Sequence, residues 1–357
     1  MSDSPIGPGP GGGLRRRTRG LRRRPVTNCR SQRITLRITR AWHRGKIADR
    51  LGFTSAIIPS VVGIDGIRTV LRTSWHLGVS ACTPLPGGMN SAAWLVELAE
   101  PGRRCVAKAV PAATRRQFEA GLAVAERLAT CGTASGAPIR TADGALSMNA
   151  DDAAVALLEY VPGRSLVAED PLDQQWWGNA LGAAHRCLVG FDHPGLGRFH
   201  LMRSDTPHLG VEDWVRPAVA DAVAAMAKLS VTDQLTYGPT HGDPNTDCFR
   251  LDVDTGGVGI IDWGAAGSGP LVYDIASAVM YAGGPDRAAD LVDAYVAAAP
   301  VSRDEVEAAL PTLLRFRGAV QADYFAYRIW VDDRTGIDDP AENLVGLGRA
   351  RTMLETA

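Results

Sequence analysis

From residue 66 onward the apolar positions fall into recognisable periods. Ile67, Val70, Leu71 and Trp75 recur at helical spacing in "IRTVLRTSWHLG", which predicts an amphipathic helix. "CTPLPGGMNSAAWLVELAE" then reads as a strand, a turn carrying Gly87 and Gly88, and a second strand. "RRCVAKAV" (103–110) is a further short strand in which polar Lys108 sits among apolar neighbours. "TRRQFEAGLAVAERLATCG" predicts a helix ending near Gly132, because glycine is favoured just past a helix end. "AVALLEYVPGRSL" (154–166) is a buried strand cut by Pro162-Gly163.

Beyond that break helices dominate. "DQQWWGNALGAAHRCLVGF" places Trp177, Leu181, Ala184 and Leu188 on one face. "GVGIIDW" is the main strand-like exception, and "GPLVYDIASAVMYAG" and "DRAADLVDAYVAAA" are helical again. The last long helix opens at Ser302 with Glu305 three residues on, a capping-box signature. The expected organisation is therefore α+β and bilobal. Residues 66–162 form a small sheet lobe and residues 163–357 a larger, mainly helical one. A cleft between two such lobes is where small molecules bind.

Residues 1–65 differ in kind. The first 30 are rich in Gly, Pro and Arg and have almost nothing to bury, which predicts a largely disordered extension followed by a short helix. "GKIADRLGFTSAIIPSVVG" faintly resembles a repressor helix-turn-helix, but Pro59 would interrupt its recognition helix. The head leaves charge unevenly distributed. Residues 1–50 hold 14 basic side chains against two acidic ones, and the remainder is acidic enough to bring the whole chain to −1. A bare run of arginines without aromatic residues reads as a solvated tail rather than a nucleic-acid site. The six cysteines lie far apart with no CxxC, which fits a reduced cytoplasmic protein without a disulfide framework. No run of 18 or more apolar residues marks a membrane span, so no membrane partner is expected.

The chemistry concentrates in two short stretches. "PTHGDPNTDCFR" carries His241 and Asp243, and "GIIDWG" carries Asp262, 19 residues after Asp243 with the hairpin signal "DVDTGG" between them. Upstream stand the strand lysine Lys108 and the helix acids Glu119 and Glu126, seven residues apart on one face. A covering turn, a strand lysine with an acid partner and two separated carboxylates are the parts that phosphoryl transfer from a nucleotide requires. In this order and spacing, "HGDPNTDCF…GIIDWG…YDIA" resembles the core of the aminoglycoside phosphotransferase family, kinase-like relatives of homoserine and choline kinases. The likeness runs over about residues 66–356 and includes "CVAKAV", "LLEYVPG" and "QADYFAYRIW".

That resemblance implies roles. Asp243 would be the catalytic base, and His241 would brace its loop. Asp262 would hold Mg2+ on the phosphates of ATP, and Lys108 would pair with those phosphates under the turn of Gly87 and Gly88. Glu119 would orient the lysine, with Glu126 as the substitute. Glu159, Tyr160 and Val161 would form the hinge that meets adenine. Asp274 would support the loop, or simply be an acid in the first turn of a helix. The implied activity is transfer of the γ-phosphoryl of ATP to a hydroxyl of an aminoglycoside, another antibiotic or an amino alcohol, by a monomer or homodimer. One position departs from the family. Where an asparagine oxygen would help hold metal, the chain has Cys248, a soft and poor ligand for Mg2+. Asn245 or Asp247 could take over, or one metal on Asp262 could suffice; alternatively the chain is a degenerate, nucleotide-binding regulatory protein. Asp323, Asp332, Asp333, Asp338, Asp339 and Glu342 either line a pocket for a cationic acceptor or are solvated surface.

Overall fold

The computed structural model describes residues 62–85, 90–199, 202–232 and 234–356. The basic head, the short helix expected before residue 62, and Gly87 and Gly88 lie outside the described residues. Helix α1 (Ile64–Ser74) buries Ile67 and Leu71 completely and packs against the first strand. The sheet that follows is antiparallel. Strands β1 (Val79–Leu85), β2 (Ala92–Leu98), β3 (Arg104–Pro111), β4 (Pro138–Ile139), β5 (Met148–Ala150) and β6 (Ala153–Glu159) run in the order β1-β2-β3-β6-β4, with β5 also on β6. Lys108 sits on the central strand β3, opposite Ala93 on one side and Ala156 on the other. The small neighbours leave room for the lysine stem beside it.

Helix α2 (Arg115–Thr130) belongs to both lobes. Phe118 and Leu122 pack on Val110, Ala154 and Ala156 of the small sheet. Val124, Ala125 and Leu128 join Trp177, Leu181 and Trp263 in the main core of the larger lobe. One amphipathic helix thus carries two apolar stripes, and the lobes share it as a wedge.

The larger lobe contains strands β7 (Arg164–Ser165), β8 (Gly197–Arg198), β9 (Tyr237–Thr240), β10 (Phe249–Leu251), β11 (Val258–Ile260) and β12 (Gly267–Pro270). Its helices are α3 (Pro171–Cys187), α4 (Val215–Thr232), α5 (Val272–Tyr281), α6 (Ala289–Ala298), α7 (Arg303–Val331) and α8 (Ala341–Thr356). The expected face of α3 is in place, with Trp177, Leu181, Ala184 and Leu188 all buried. Helix α7 is the axis of the lobe and packs on α4, α5 and α8. Its Ser302 hydroxyl accepts from Glu305 N at 3.1 Å, but the return half of the capping box is absent. The Glu305 carboxylate accepts instead from the Thr236 amide at 2.6 Å and hydroxyl at 2.8 Å, so a tertiary partner displaces the local one. No helix among the described residues is long and apolar enough to cross a membrane.

The expectation of cysteines without a disulfide is corrected. Cys131 and Cys187 are bonded, 56 residues apart in the chain but 6.3 Å apart at Cα. Spacing along the sequence could not show this. It is the packing of α2 beside α3 that brings their C-terminal ends together. Cys82, Cys105 and Cys248 are free and buried.

A cross-link closing so long a loop contributes about 2–4 kcal/mol by restricting the unfolded chain. The urea midpoint of the oxidised protein should therefore exceed that of the protein treated with a phosphine reductant by a corresponding amount, and Cys131→Ser should abolish the difference. Equal midpoints would show that the bond does not form in solution.

Candidate active site

The 19-residue interval between Asp243 and Asp262 is the length of a hairpin excursion. Strand β9 pairs antiparallel with β12, Thr240 opposite Gly267, and this pairing closes the base of the excursion. Between them β10 and β11 run out and back, Phe249 opposite Ile260 and Leu251 opposite Val258. Asp252 shapes the tip by accepting from Asp254 N and the Thr255 hydroxyl. The loops before and after the hairpin therefore lie side by side. Gly242 has φ +85°, and a Cβ there would fall 2.3 Å from the Ala265 carbonyl oxygen. Only glycine combines that backbone with that approach, which explains the middle residue of "HGD".

Asp274, in the first turn of α5, is fully buried and supports the loop. Its Oδ2 accepts from His241 N at 2.5 Å and its Oδ1 from Gly242 N at 2.9 Å. His185 Nε2 lies 3.0 Å from Oδ2, and His185 Nδ1 lies 2.9 Å from the Tyr295 hydroxyl. Burial alone would raise this carboxyl; the His185 hydrogen bond and charge, the His241 charge and the Gly242 amide outweigh it and hold it below the usual aspartate range. His241 braces the loop, as expected. Its Nε2 donates to the Ile261 carbonyl at 3.0 Å, and its Nδ1 lies 3.4 Å from Asp243 N. The Trp177 indole donates to the Pro244 carbonyl at 3.2 Å, tying α3 to the same loop.

Asp262 has left-handed backbone, φ 66° and ψ 59°, a conformation that aspartate tolerates better than most residues. Its Oδ1 meets Lys108 Nζ at 2.6 Å. The lysine is 12% exposed and the aspartate 55%, so the pair is anchored from the sheet and open on the carboxylate side. The Lys108 charge, against the opposing effect of burial and with help from His241 and the Gly264 amide, keeps Asp262 below the usual carboxylate range.

Neither helix acid reaches the lysine. Glu119 accepts from Arg115 at 2.9 Å and from the Ser147 hydroxyl at 2.7 Å, and Glu126 forms a two-pronged pair with Arg140 at 2.7 Å. The expectation that Glu119 orients Lys108 is thus not met: its carboxylate is committed along α2 and to Ser147 just before β5. What α2 does give the site is proximity. A Cβ at Gly121 would fall 2.2 Å from the Trp263 carbonyl oxygen, so the helix backbone presses directly on the turn after Asp262.

Asp243 is 44% exposed. Its Oδ1 accepts from Arg317 NH2 at 2.6 Å and from the Tyr281 hydroxyl at 2.6 Å. Arg317 also donates to the Tyr273 hydroxyl at 3.0 Å and approaches the Tyr281 hydroxyl at 3.2 Å. Burial pushes the Tyr281 phenol up, with the Asp243 charge adding to it, so the hydroxyl stays a donor. Sequence reasoning missed Arg317 and Tyr281, which lie 74 and 38 residues beyond Asp243 on α7 and α5. The one available signal was an arginine on the apolar side of a helix, "LLRFRGAV".

Cys248 is buried beside the loop and donates its S–H to the Asp243 carbonyl, Sγ to O 3.6 Å. Burial, then the Asp262 and Asp243 charges, push its thiol well above the usual range, so it stays protonated. A protonated thiol is a poor ligand for a hard cation. The Asn245 side-chain Oδ1 accepts from Asp247 N at 2.9 Å and caps the turn Thr246–Cys248. Asp247 is exposed. At the hinge, Glu159 N bonds the Ala137 carbonyl at 2.9 Å, the Arg104 guanidinium lies 4.2 Å over the Tyr160 ring, and Val161 is buried. Among the described residues no three His, Cys, Asp or Glu side chains cluster as a metal cage.

The acidic C-terminal stretch is no acidic pocket. Asp323 meets buried His208 at 2.7 Å, Asp332 pairs with Arg334 at 3.0 Å and Asp333 with buried Arg328 at 3.4 Å. Asp339 accepts from Ala341 N at 2.8 Å, and Glu342 from the amides of Asp338 and Asp339 at 3.1 Å. Five of the six carboxylates are committed to capping and pairing.

Because Asp274 is held ionised in the core, its contribution to stability is complete above the unfolded aspartate value of about 4 and is lost as pH falls through its lower folded value. Asp274→Asn should cost about 3 kcal/mol or more at pH 7 and flatten the decline of stability below about pH 4. Urea unfolding between pH 7 and pH 3 checks both. A variant with the wild-type acid profile would contradict the assignment.

Residues 81–309 match the model of a family described as the phosphotransferase enzyme family. No curated protein sequence matches the chain. Solved structures do resemble it. The amicoumacin kinase hAmiN, in complex with AMP-PNP, Ca2+ and Ami, aligns with a TM-score of 0.64 at 16% identity, covering 82% of this chain and 93% of that one. A choline/ethanolamine kinase family protein from Mesorhizobium loti aligns with 0.60 at 18% identity, covering 82% and 94%. The choline kinase LicA from Streptococcus pneumoniae aligns with 0.58 at 14% identity, covering 82% and 98%. At such identities the likeness is one of fold, α+β and kinase-like. The matched residues run from β1 into α7 and take in Lys108, Asp243, Asp262 and Asp274 together; the chain belongs to the phosphotransferase enzyme family.

Proposed function

We propose that this phosphotransferase moves the γ-phosphoryl group of ATP, with Mg2+, to a hydroxyl of a small molecule such as an antibiotic or an amino alcohol. The observation that carries the reading is the arrangement of three side chains. Lys108 and Asp262 meet at 2.6 Å across the lobes, and Asp243 lies on the adjoining loop with Oδ2 free of hydrogen bonds among the described residues.

In this reading Lys108 binds the nucleotide phosphates and leaves Asp262 as they enter. Glu159, Tyr160 and Val161 present the hinge to adenine. Asp243 takes the proton of the acceptor hydroxyl. The donor set suits Mg2+, a hard cation that takes one or two carboxylates and completes its shell with phosphates and water. Asp262 would hold it, with Asn245 as a second oxygen donor once its Oδ1 leaves the Asp247 amide, and it would supply charge neutralisation on the phosphates. Cys248 supplies no ligand, which limits the site to that minimal set. The engaged C-terminal acids remove one argument for a polycationic acceptor and leave the acceptor class open. A cytoplasmic setting follows from the use of ATP; the Cys131–Cys187 bond is the feature that pulls the other way.

A second reading, a nucleotide-binding regulatory protein, is favoured by Cys248 alone. The two separate in one experiment: ATP consumption and product mass across aminoglycosides, peptide antibiotics, macrolides, homoserine and choline. Firm nucleotide binding without turnover on any acceptor would select the regulatory protein.

With an acceptor in hand, Asp243→Ala should lower turnover by about 10²–10⁴-fold, the usual value of a positioned base, while nucleotide affinity changes little. Turnover within tenfold of wild type would sink the assignment. Asp262→Ala should remove the tightening of ATP binding by magnesium, measured by calorimetry with and without the ion. If magnesium still tightens binding, the metal is held elsewhere.

A further inference from the structure

We propose that Arg317 and Tyr281 form a one-sided clamp on Asp243, which fixes one carboxylate oxygen so that the other faces the acceptor. The inference rests on the phosphotransferase reading above. Both donors go to the same atom, Oδ1, each at 2.6 Å. They come from different helices, Tyr281 at the last residue of α5 and Arg317 in the buried middle of α7. Arg317 is itself aimed by the buried Tyr273 hydroxyl at 3.0 Å and is 4% exposed.

Arg115–Glu119, Arg303–Asp293, Arg328–Asp333 and Arg351–Glu355 also meet through one nitrogen, but the geometry differs from that of the chain's two-pronged pairs. Arg164 grips both oxygens of Asp173 at 2.6 and 2.7 Å, and the Val167 amide adds a third bond. Arg140 grips both oxygens of Glu126, and Arg203 both of Asp205. The fork of arginine favours that arrangement. Arg317 instead meets Asp243 through a single nitrogen and leaves Oδ2 bare among the described residues. It does so although its own Nε, buried, finds no partner there. A buried guanidinium that forgoes one hydrogen bond and the two-pronged grip is a costly way to add stability. It is a direct way to hold a carboxylate in one rotamer with a chosen oxygen outward.

The backbone of the same residue is fixed independently. The Asp274 carboxylate holds Gly242 N, and the Cys248 thiol donates to the Asp243 carbonyl. The main chain is thus set from α5 and the hairpin, and the side chain from α5 and α7. In the transfer step the acceptor oxygen bonds to the γ-phosphorus. The bond from that phosphorus to the β-bridging oxygen breaks, its electron pair leaving on ADP. The hydroxyl proton passes to Oδ2 of Asp243. Arg317 and Tyr281 touch none of the reacting atoms and act as positioning residues.

The probe is MgATP with water as acceptor, read as phosphate release, alongside MgATP affinity and unfolding midpoints. Arg317→Met should lower kcat by about a hundredfold, the scale of an ångström of misplacement, with KM for MgATP within about twofold of wild type. Tyr281→Phe should lower kcat by a smaller factor, and Arg317→Lys should recover part of the loss. In ligand-free crystals of Arg317→Met, the Asp243 side chain should leave its single rotamer. If Arg317→Met does not fold, Tyr281→Phe and Arg317→Lys decide. The clamp is overturned if these variants keep wild-type kcat while Asp243→Asn is inactive, if the loss falls on KM instead, or if the Asp243 carboxylate stays in place. The phosphotransferase reading survives each of those results. Should wild type bind MgATP and release phosphate to neither water nor any acceptor, that reading fails, and the clamp with it.

Discussion

An ionised carboxylate in the middle of an apolar core is the constraint on which this site depends. Asp274 is fully buried, and a charge taken out of water costs several kcal/mol unless hydrogen bonds and a counter-charge replace the lost solvent. Here the replacements are His185 and two successive backbone amides, those of His241 and Gly242. The cost is therefore offset only when the loop preceding Asp243 occupies one conformation. Folding of the core and shaping of the loop become a single event. The left-handed Gly242, held against Ala265, carries the same restraint across to the turn that follows Asp262.

Helix α2 extends this coupling to the nucleotide-side lobe. Its two apolar stripes enter two cores, its glycine lies on the Trp263 carbonyl, and its C-terminal end is bonded to α3 through Cys131 and Cys187. Lys108 then closes the circuit by pairing with Asp262. A helix acid is dispensable in this state because the lysine already has a carboxylate partner. The pairing also states what nucleotide phosphates must do on entry. In the proposed function they would replace Asp262 on the lysine and free an oxygen of a side chain that is 55% exposed.

The larger features were legible in the chain because they rest on local rules. The face of α3, the glycine-rich hairpin tip at 252–257 and the order of Lys108, Asp243 and Asp262 follow from periodicity, turn chemistry and spacing. Strands β4, β7 and β8, two residues each, have no period to read, and alanine-rich α4 has little contrast between its faces. The partners of Glu119, Glu305 and the cysteines were hidden for another reason. Glu119 was taken by Arg115 one turn away on its own helix, whereas for Glu305 and the cysteines tertiary neighbours outcompeted the local choice. Arg317 and Tyr281 are the same case, since nothing near Asp243 in sequence announces a clamp from two distant helices.

Cys248 shows how one substitution can change a site's division of labour. An asparagine there would offer an oxygen to a cation and an amide to the loop. The thiol, kept protonated by burial and by the two carboxylates near it, retains only the donor half and gives it to the Asp243 carbonyl. The loop keeps its inner brace while one hard ligand is lost. In the proposed function Mg2+ would then lean more on Asp262 and on the phosphates it arrives with. In that function metal and nucleotide would bind in one step, because the described residues hold no cluster of acids that could keep the ion first.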